Sequence, residues 1–180
     1  RQRQMCIRDS ITRSEELYRT VKNKSMTLVP TTLGQIKETT LERFYHKYPD
    51  ARLKTDVNEN VTVLADQNYL SEALYNLLIN AWEANVAAGH DDRAIELLSH
   101  KERLYTVLEV RDEGCGMTKA EQKKIFEPFY SSKNSNTSWG MGLYHVRTII
   151  RAHVGSLRVE SRPGRGTSFF VLLPKYVQDR

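Results

Sequence analysis

The chain has 180 residues, 39% of them hydrophobic, which is about one domain of sequence with enough apolar side chains for one core. It contains no apolar run of the roughly eighteen residues needed to span a bilayer, and no apolar segment follows the basic start, so neither a membrane-spanning helix nor a signal peptide is predicted and the expected location is cytoplasmic. The formal net charge of +5 falls to +3 once Arg1, Arg3, Arg8 and Asp9 are set aside, and the other cations alternate with acids, as around Glu121 and Glu160; this patterning argues against a nucleic-acid footprint.

Residues 1–26 are predicted to be an N-terminal stump or linker, with 1–10 resembling translated adapter sequence; the domain proper is expected over 27–176, followed by a short tail, 177–180. Thr31 and Thr32 offer N-caps for a first helix on which Leu33, Ile36, Leu41 and Phe44 recur at helical spacing until Pro49-Asp50. Strands are expected at Arg52–Asp56 and Val61–Ala65, on either side of the turn-forming Asn58-Glu59-Asn60. Asp66 then caps a long helix with an apolar stripe of Leu70, Ala73, Leu74, Leu77, Leu78 and Ala81, and Asn76 and Asn80 fall together along its edge. Strands follow near Ala94–Ser99 and Leu104–Asp112; alternation puts Thr106, Leu108, Val110 and Asp112 on one face, so a carboxylate ends an apolar row.

Residues 113–139 are rich in Gly, Ser, Lys and Asn apart from a helical stretch at Lys119–Phe126, the composition of a mobile lid. A third helix is predicted after Gly142, with Leu143, Val146, Ile149 and Ile150 inward, and a hairpin closes the chain with Ser156–Ser161, a turn at 162–166 and Thr167–Pro174. This order implies an α+β two-layer sandwich, a mixed sheet with three helices on one face. Cys6 and Cys115 lack CxxC spacing and the five histidines lack i,i+4 pairing, so neither a disulfide nor a zinc site is expected.

Four blocks occur in one order within about seventy residues: Asn76–Ala84 (NLLINAWEA), Asp112–Met117 (DEGCGM), Phe126–Lys133 (FEPFYSSK) and Gly140–Leu143 (GMGL). Together they resemble the N, G1, F and G2 boxes of the catalytic, ATP-binding domain of sensor histidine kinases, and the likeness extends over roughly Thr27–Lys175. It implies the Bergerat (GHKL) fold shared with gyrase B, MutL and the large heat-shock chaperone ATPases.

The residues suit that chemistry. Asn80 can give a neutral amide oxygen to Mg²⁺ without adding charge beside a triphosphate, and Asn76, one turn earlier, can bond the same phosphate or metal-bound water; alone, the pair reads better as solvated helix surface, and it is the other blocks that favour the metal. Asp112, at the core-facing end of its strand, must find donors or raise its pKa. In the family the corresponding aspartate accepts from the exocyclic amine of adenine. Gly114 and Gly116 leave room for backbone to pass near the ring, and Met117 completes the block. Thr167 resembles the family threonine that reaches adenine through a water. Gly140, Met141, Gly142 and Leu143 precede a helix whose free amides and dipole form an anion site, without the GK[ST] of a P-loop. Lys133 can offer its ammonium to the γ-phosphate, or be a solvated lid lysine, and Phe126 and Phe129 are expected as hydrophobic lid anchors.

Two departures stand out. Basic residues common in sensor kinases are replaced by Glu83 and Ser131, and the FEPFYSSK and NAxEA forms look like the nitrogen-regulation type, in which this is ordinary. No histidine is followed by the E/DxxxP/N pattern of a phospho-acceptor box. The resemblance therefore implies a phosphotransferase domain with ATP and Mg²⁺ as cofactors, whose partners are a histidine-bearing dimerisation domain and a response regulator, with no nucleic acid and no membrane contact. Two other readings stay open: a nucleotide-sensing module without transfer, and an anti-sigma type serine kinase, against which the FxPF block argues.

Overall fold

The structure is a computed structural model and describes residues 26–128, 130 and 142–177. Residues 1–25, the tail from 178, the part of the predicted lid at 129 and 131–139, which includes Phe129, Ser131 and Lys133, and the adjoining Gly140 and Met141 lie outside the described residues. In chain order the elements are β1 (Val29–Thr32), α1 (Leu33–Lys47), β2 (Leu53–Asp56), β3 (Thr62–Ala65), α2 (Gln67–Ala87), β4 (Ile95–Lys101), β5 (Tyr105–Asp112), α3 (Lys119–Lys124), α4 (Gly142–Ala152), β6 (Ser156–Ser161) and β7 (Thr167–Pro174).

Local chemistry sets the helix starts. Thr32 accepts from the backbone N–H of Gln35 while the Gln35 side chain reaches back to the Thr32 N–H, a capping box that opens α1. Asp66 Oδ1 accepts from the N–H groups of Asn68 and Tyr69 and opens α2. Five strands form one mixed sheet in the order β2-β4-β5-β7-β6, in which only β2 and β4 run parallel. Leu33, Ile36 and Phe44 of α1, Leu70, Leu74, Leu77 and Leu78 of α2, and Val146, Ile149 and Ile150 of α4 bury their apolar stripes against Ile95, Leu97, Leu108, Val110, Phe169, Val171 and Leu173 of the sheet. This is the expected two-layer α+β sandwich. Among the described residues no helix is long and apolar enough to cross a membrane.

Two features depart from expectation. Val29–Thr32 is a strand, paired antiparallel with β3 as a separate two-stranded sheet. Pro30 hides it, because proline breaks a strand pattern and is tolerated only at an edge such as this one. The turn at Asn58–Asn60 is consequently not a hairpin: β2 enters the large sheet beside β4, and β3 leaves it.

The end of α4 is a Schellman motif, with Gly155 N–H donating to Ile150 O at 2.9 Å and Val154 N–H to Arg151 O at 3.0 Å. Its left-handed position, normally glycine, is Val154 at φ 58°. There the β-branched side chain meets its own carbonyl, and at 74% exposure it gains no packing in return. His153, 2% exposed, donates from Nδ1 to Ile149 O at 2.8 Å and accepts at Nε2 from Asp66 N–H at 3.1 Å, which ties this helix end to the start of α2. Val154→Gly is expected to stabilise the fold by about 1 kcal/mol, relief of the strain exceeding the added chain entropy. Urea unfolding should show a higher midpoint at unchanged slope, and a lower midpoint would refute the strain.

Candidate functional site

The site grows from α2. Asn76, Asn80 and Ala84 follow one another at single-turn intervals on one side of the helix, each half-buried, so they line the rim between the core stripe and solvent. The Asn76 amide nitrogen donates to Glu72 O at 3.0 Å, which leaves its oxygen turned away from its own helix. The Asn80 side chain makes no hydrogen bond to a described residue. One turn beyond Asn80, about 6 Å along the axis, Ala84 meets the backbone of Gly114, where a Cβ would come within 2.6 Å of Ala84 backbone and side-chain atoms alike. That contact fixes the Gly114 loop to the asparagine rim.

Asp112 ends β5, opposite Thr167 of β7. It is 5% exposed, and its Oδ1 accepts from Gly114 N–H at 2.9 Å and Thr167 N–H at 3.2 Å. Its Oδ2 takes no hydrogen bond from a described residue and is not sealed from solvent, since no buried side-chain oxygen or nitrogen among the described residues lacks a partner. Burial pushes the carboxyl up to about 6, against the two backbone N–H groups that draw it down. Glu109, three residues earlier, shows what full pairing does. It is 2% exposed, and although burial raises its pKa, hydrogen bonds from Ser168, His100 and Arg111 bring it below the ordinary value. Arg111 Nη2 lies 2.9 Å and His100 Nε2 2.7 Å from its oxygens. Asp112 has no such cation, so one oxygen of a buried carboxylate faces an opening without a protein donor, the environment of a binding group.

Around Asp112 the backbone is packed too closely for side chains. Gly166, at φ 80°, would drive a Cβ to 2.0 Å from Asp112 O, and Gly116, at φ 65°, to 1.9 Å from Arg162 O. Among the described residues the space cleared by these glycines is thus filled by protein. Met117, half-buried against the core, donates its N–H to Ser161 Oγ at 2.8 Å. Ser161 Oγ also lies 2.9 Å from Gly166 O and 2.9 Å from Thr167 Oγ1. With the Ser161 proton given to Gly166 O, Thr167 donates to Ser161 and keeps its own lone pairs free to accept.

Ser161 and Asn85 carry this loop, and sequence reasoning missed both. Asn85 is fully buried, accepts from Glu113 N–H at 2.9 Å through Oδ1 and donates to Arg93 O at 3.3 Å through Nδ2. Its place on the apolar stripe of α2, in line with Leu78 and Ala81, was the available signal. The α3 helix is joined to the same loop by Gln122 Nε2, which donates to Met117 O at 3.0 Å and Ser161 O at 2.9 Å. Phe126 fulfils its expected anchoring role, edge-on to Phe169 at 6.4 Å between ring centres.

Gly142 opens α4, with open space beside it, and Leu143 packs on the core. Two contacts set the antiparallel register of α4 on α2: His145 Nε2 lies 3.2 Å from Glu72 Oε1, and His153 lies on the Asp66 N–H. Counting back one turn from His145 brings Gly142 beside Asn76. The hydrogen bond from His145 holds the Glu72 carboxyl below its ordinary value despite partial burial. Asn76, Asn80 and Gly142 thus lie along one flank of α2, Gly114 joins that helix through Ala84, and Asp112, Met117 and Thr167 are tied to the same loop by hydrogen bonds.

The chain matches the family model described as "Histidine kinase-, DNA gyrase B-, and HSP90-like ATPase" over residues 65–177. It is 39% identical over 117 residues to the signal transduction histidine-protein kinase AtoS of Escherichia coli (strain K12), covering 65% of this chain and 18% of that protein. Identity to sporulation kinase C of Bacillus subtilis (strain 168) is 36% over 109 residues, 61% of this chain and 24% of that one. The chain thus spans only about a fifth of the length of these curated relatives. Among solved structures, the catalytic domain of histidine kinase ThkA aligns with a TM-score of 0.68 and 28% identity, covering 83% of this chain and 97% of that one.

The raised pKa of Asp112 has a signed consequence for stability. The unfolded chain ionises this group near 3.8 and the folded chain near 6, so its ionised form costs folding free energy above pH 6, and the cost disappears as pH falls to about 4. Asp112→Asn keeps an oxygen for the Gly114 and Thr167 N–H groups and removes the charge. Without nucleotide it is expected to be more stable than the parent by about 1–3 kcal/mol at pH 8, with the difference shrinking through pH 6 and gone near pH 4. Denaturant unfolding across that range checks it; a pH-independent difference would rule out carboxylate desolvation as its cause.

Proposed function

The chain belongs to the histidine kinase-, DNA gyrase B- and HSP90-like ATPase family, and from that premise we propose that it is the ATP-binding catalytic domain of a two-component sensor histidine kinase. In this reading it passes the γ-phosphoryl group of ATP to a histidine on a separate dimerisation domain, for relay to a response regulator. The observation that carries the proposal is the buried Asp112 carboxylate, with one oxygen held by backbone and the other open at the end of the asparagine rim.

Each group has a task. Asp112 Oδ2 accepts from the adenine amine, and guanine, with a carbonyl at that place, is repelled. Thr167 accepts through a water. Asn80 fits a magnesium ion, because its amide is half-buried and makes no hydrogen bond to a described residue, and an asparagine oxygen is a hard neutral ligand. Asn76 stands beside it. Magnesium, when bound, supplies charge neutralisation along the triphosphate. The Gly142–Leu143 amides at the start of α4 face the same rim, and the remaining anion contacts are assigned to Gly140, Met141 and Lys133 from the sequence resemblance. Phosphoryl transfer is chiefly positioning and charge stabilisation, so what remains to be supplied is an acceptor in line. Neither His145, paired with Glu72, nor the buried His153, engaged at both ring nitrogens, is free to be that acceptor.

Calorimetric titration of ATP should show affinity that rises with Mg²⁺ in the parent and is indifferent to Mg²⁺ in Asn80→Ala; an equal magnesium response in both would remove Asn80 from the metal. With radiolabelled ATP the domain alone should carry no label, and acid-labile phosphate should form on its native upstream hairpin when that is added. Lys133→Ala should lower this transfer far more than it lowers ATP binding. Tight ATP binding with no transfer to the hairpin would instead assign the domain to nucleotide sensing.

A further inference from the structure

At the end of β5 remote from Asp112, a cavity of about 590 Å³ lies between the outer face of the β1–β3 pair and the lower edge of the large sheet. Five residues of strand separate Thr106, on its wall, from Asp112, so it stands roughly 20 Å from the site described above. Its polar lining is Thr32, Thr62, Thr106, Lys101, Lys175 and Tyr176, with Pro30 and Val61 as apolar wall and no carboxylate. Two observations mark it as built for a ligand. Thr106 is 4% exposed, yet its hydroxyl makes no hydrogen bond to a described residue; as no side-chain polar atom is sealed without a partner, that hydroxyl opens into the cavity. Lys101 and Lys175 come from different segments, held together by Lys175 N–H donating to Leu104 O at 3.1 Å, and neither ammonium has an ion-pair partner among the described residues.

We propose that this cavity binds a small organic or inorganic anion carrying two or more carboxylate or phosphate groups. The volume is that of a small-molecule site. Lys101 and Lys175, both exposed, line one concavity that holds no carboxylate, so an anion there would be drawn by both, and threonine and tyrosine hydroxyls can donate to its oxygens. The walls belong to both sheets, and β1 is the first described strand, so an occupant would brace the place where the upstream chain joins the domain. The site is independent of the nucleotide reading and stands or falls apart from it.

The test is a ¹H–¹⁵N titration of the whole chain with Mg·ADP present and free Mg²⁺ held constant against chelation, using citrate in one arm and inorganic pyrophosphate in another at matched ionic strength. Saturable shifts of the Thr62, Thr106 and Tyr176 amides are expected, with Asp112 and Gly114 unmoved; the stronger arm identifies carboxylate or phosphate as the preferred group. The Lys101→Gln/Lys175→Gln double variant should weaken binding by about tenfold or more, and Thr106→Val, which keeps shape and loses the hydroxyl, by a few-fold. Shifts that never saturate in either arm, or that are equally strong in the double variant, overturn the proposal.

Discussion

The burial of one carboxylate organises the nucleotide side of this domain. A lone buried aspartate is expensive, and here the cost is only half offset, by two backbone N–H groups on one oxygen. For Gly114 and Thr167 to supply them, the loop after β5 must fold back tightly and the start of β7 must lie against it. The tightness then dictates composition: a Cβ on Gly166 would strike Asp112 O, one on Gly116 would strike Arg162 O, and one on Gly114 would strike α2. Asn85 and Ser161, both buried, hold what remains of the loop's backbone. Glu109 on the same strand shows that the protein can satisfy a buried carboxylate completely when it supplies the Arg111 guanidinium and further donors. At Asp112 it supplies no cation, which is the signature of a group that completes its pairing with a ligand.

In the proposed reading the helix layer answers a different demand, since a triphosphate needs neutral ligands and free amides along a line. The α2 rim provides asparagines at one-turn spacing, and α4 is registered against it at two points, through Glu72 and through the Asp66 N–H. Both cross-links lie C-terminal to Gly142, about one turn and three turns along the chain, so the start of α4 is held by contacts outside its own first turn. The strain at Val154 lies just beyond the second cross-link and is tolerated because the Schellman bonds and His153 over-determine that turn.

Much was legible in the residues alone. Helical periodicity found α1, α2 and α4, alternation found the closing hairpin and the inward placement of Asp112, and Thr32 and Asp66 were recognisable caps. Asn76, Asn80, Asp112 and the start of α4 could be nominated because their spacing and order are local properties of the chain. The separation of β2 and β3 into different sheets was not legible, because a turn-forming triplet between two strands carries no information about which distant strand each will pair with.

What the sequence by itself determined is therefore the element order, the apolar faces and the identity of the groups with unpaired chemistry, all of which depend on contacts a few residues apart. Tertiary structure alone decided which oxygen of Asp112 is spoken for, why its neighbouring glycines are glycines, that Asn85 and Ser161 hold the loop, and that two lysines far from Asp112 line one cavity. Each of these depends on backbone segments dozens of residues apart meeting within hydrogen-bond distance. Such meetings are set by the packing of whole layers, which no local pattern records.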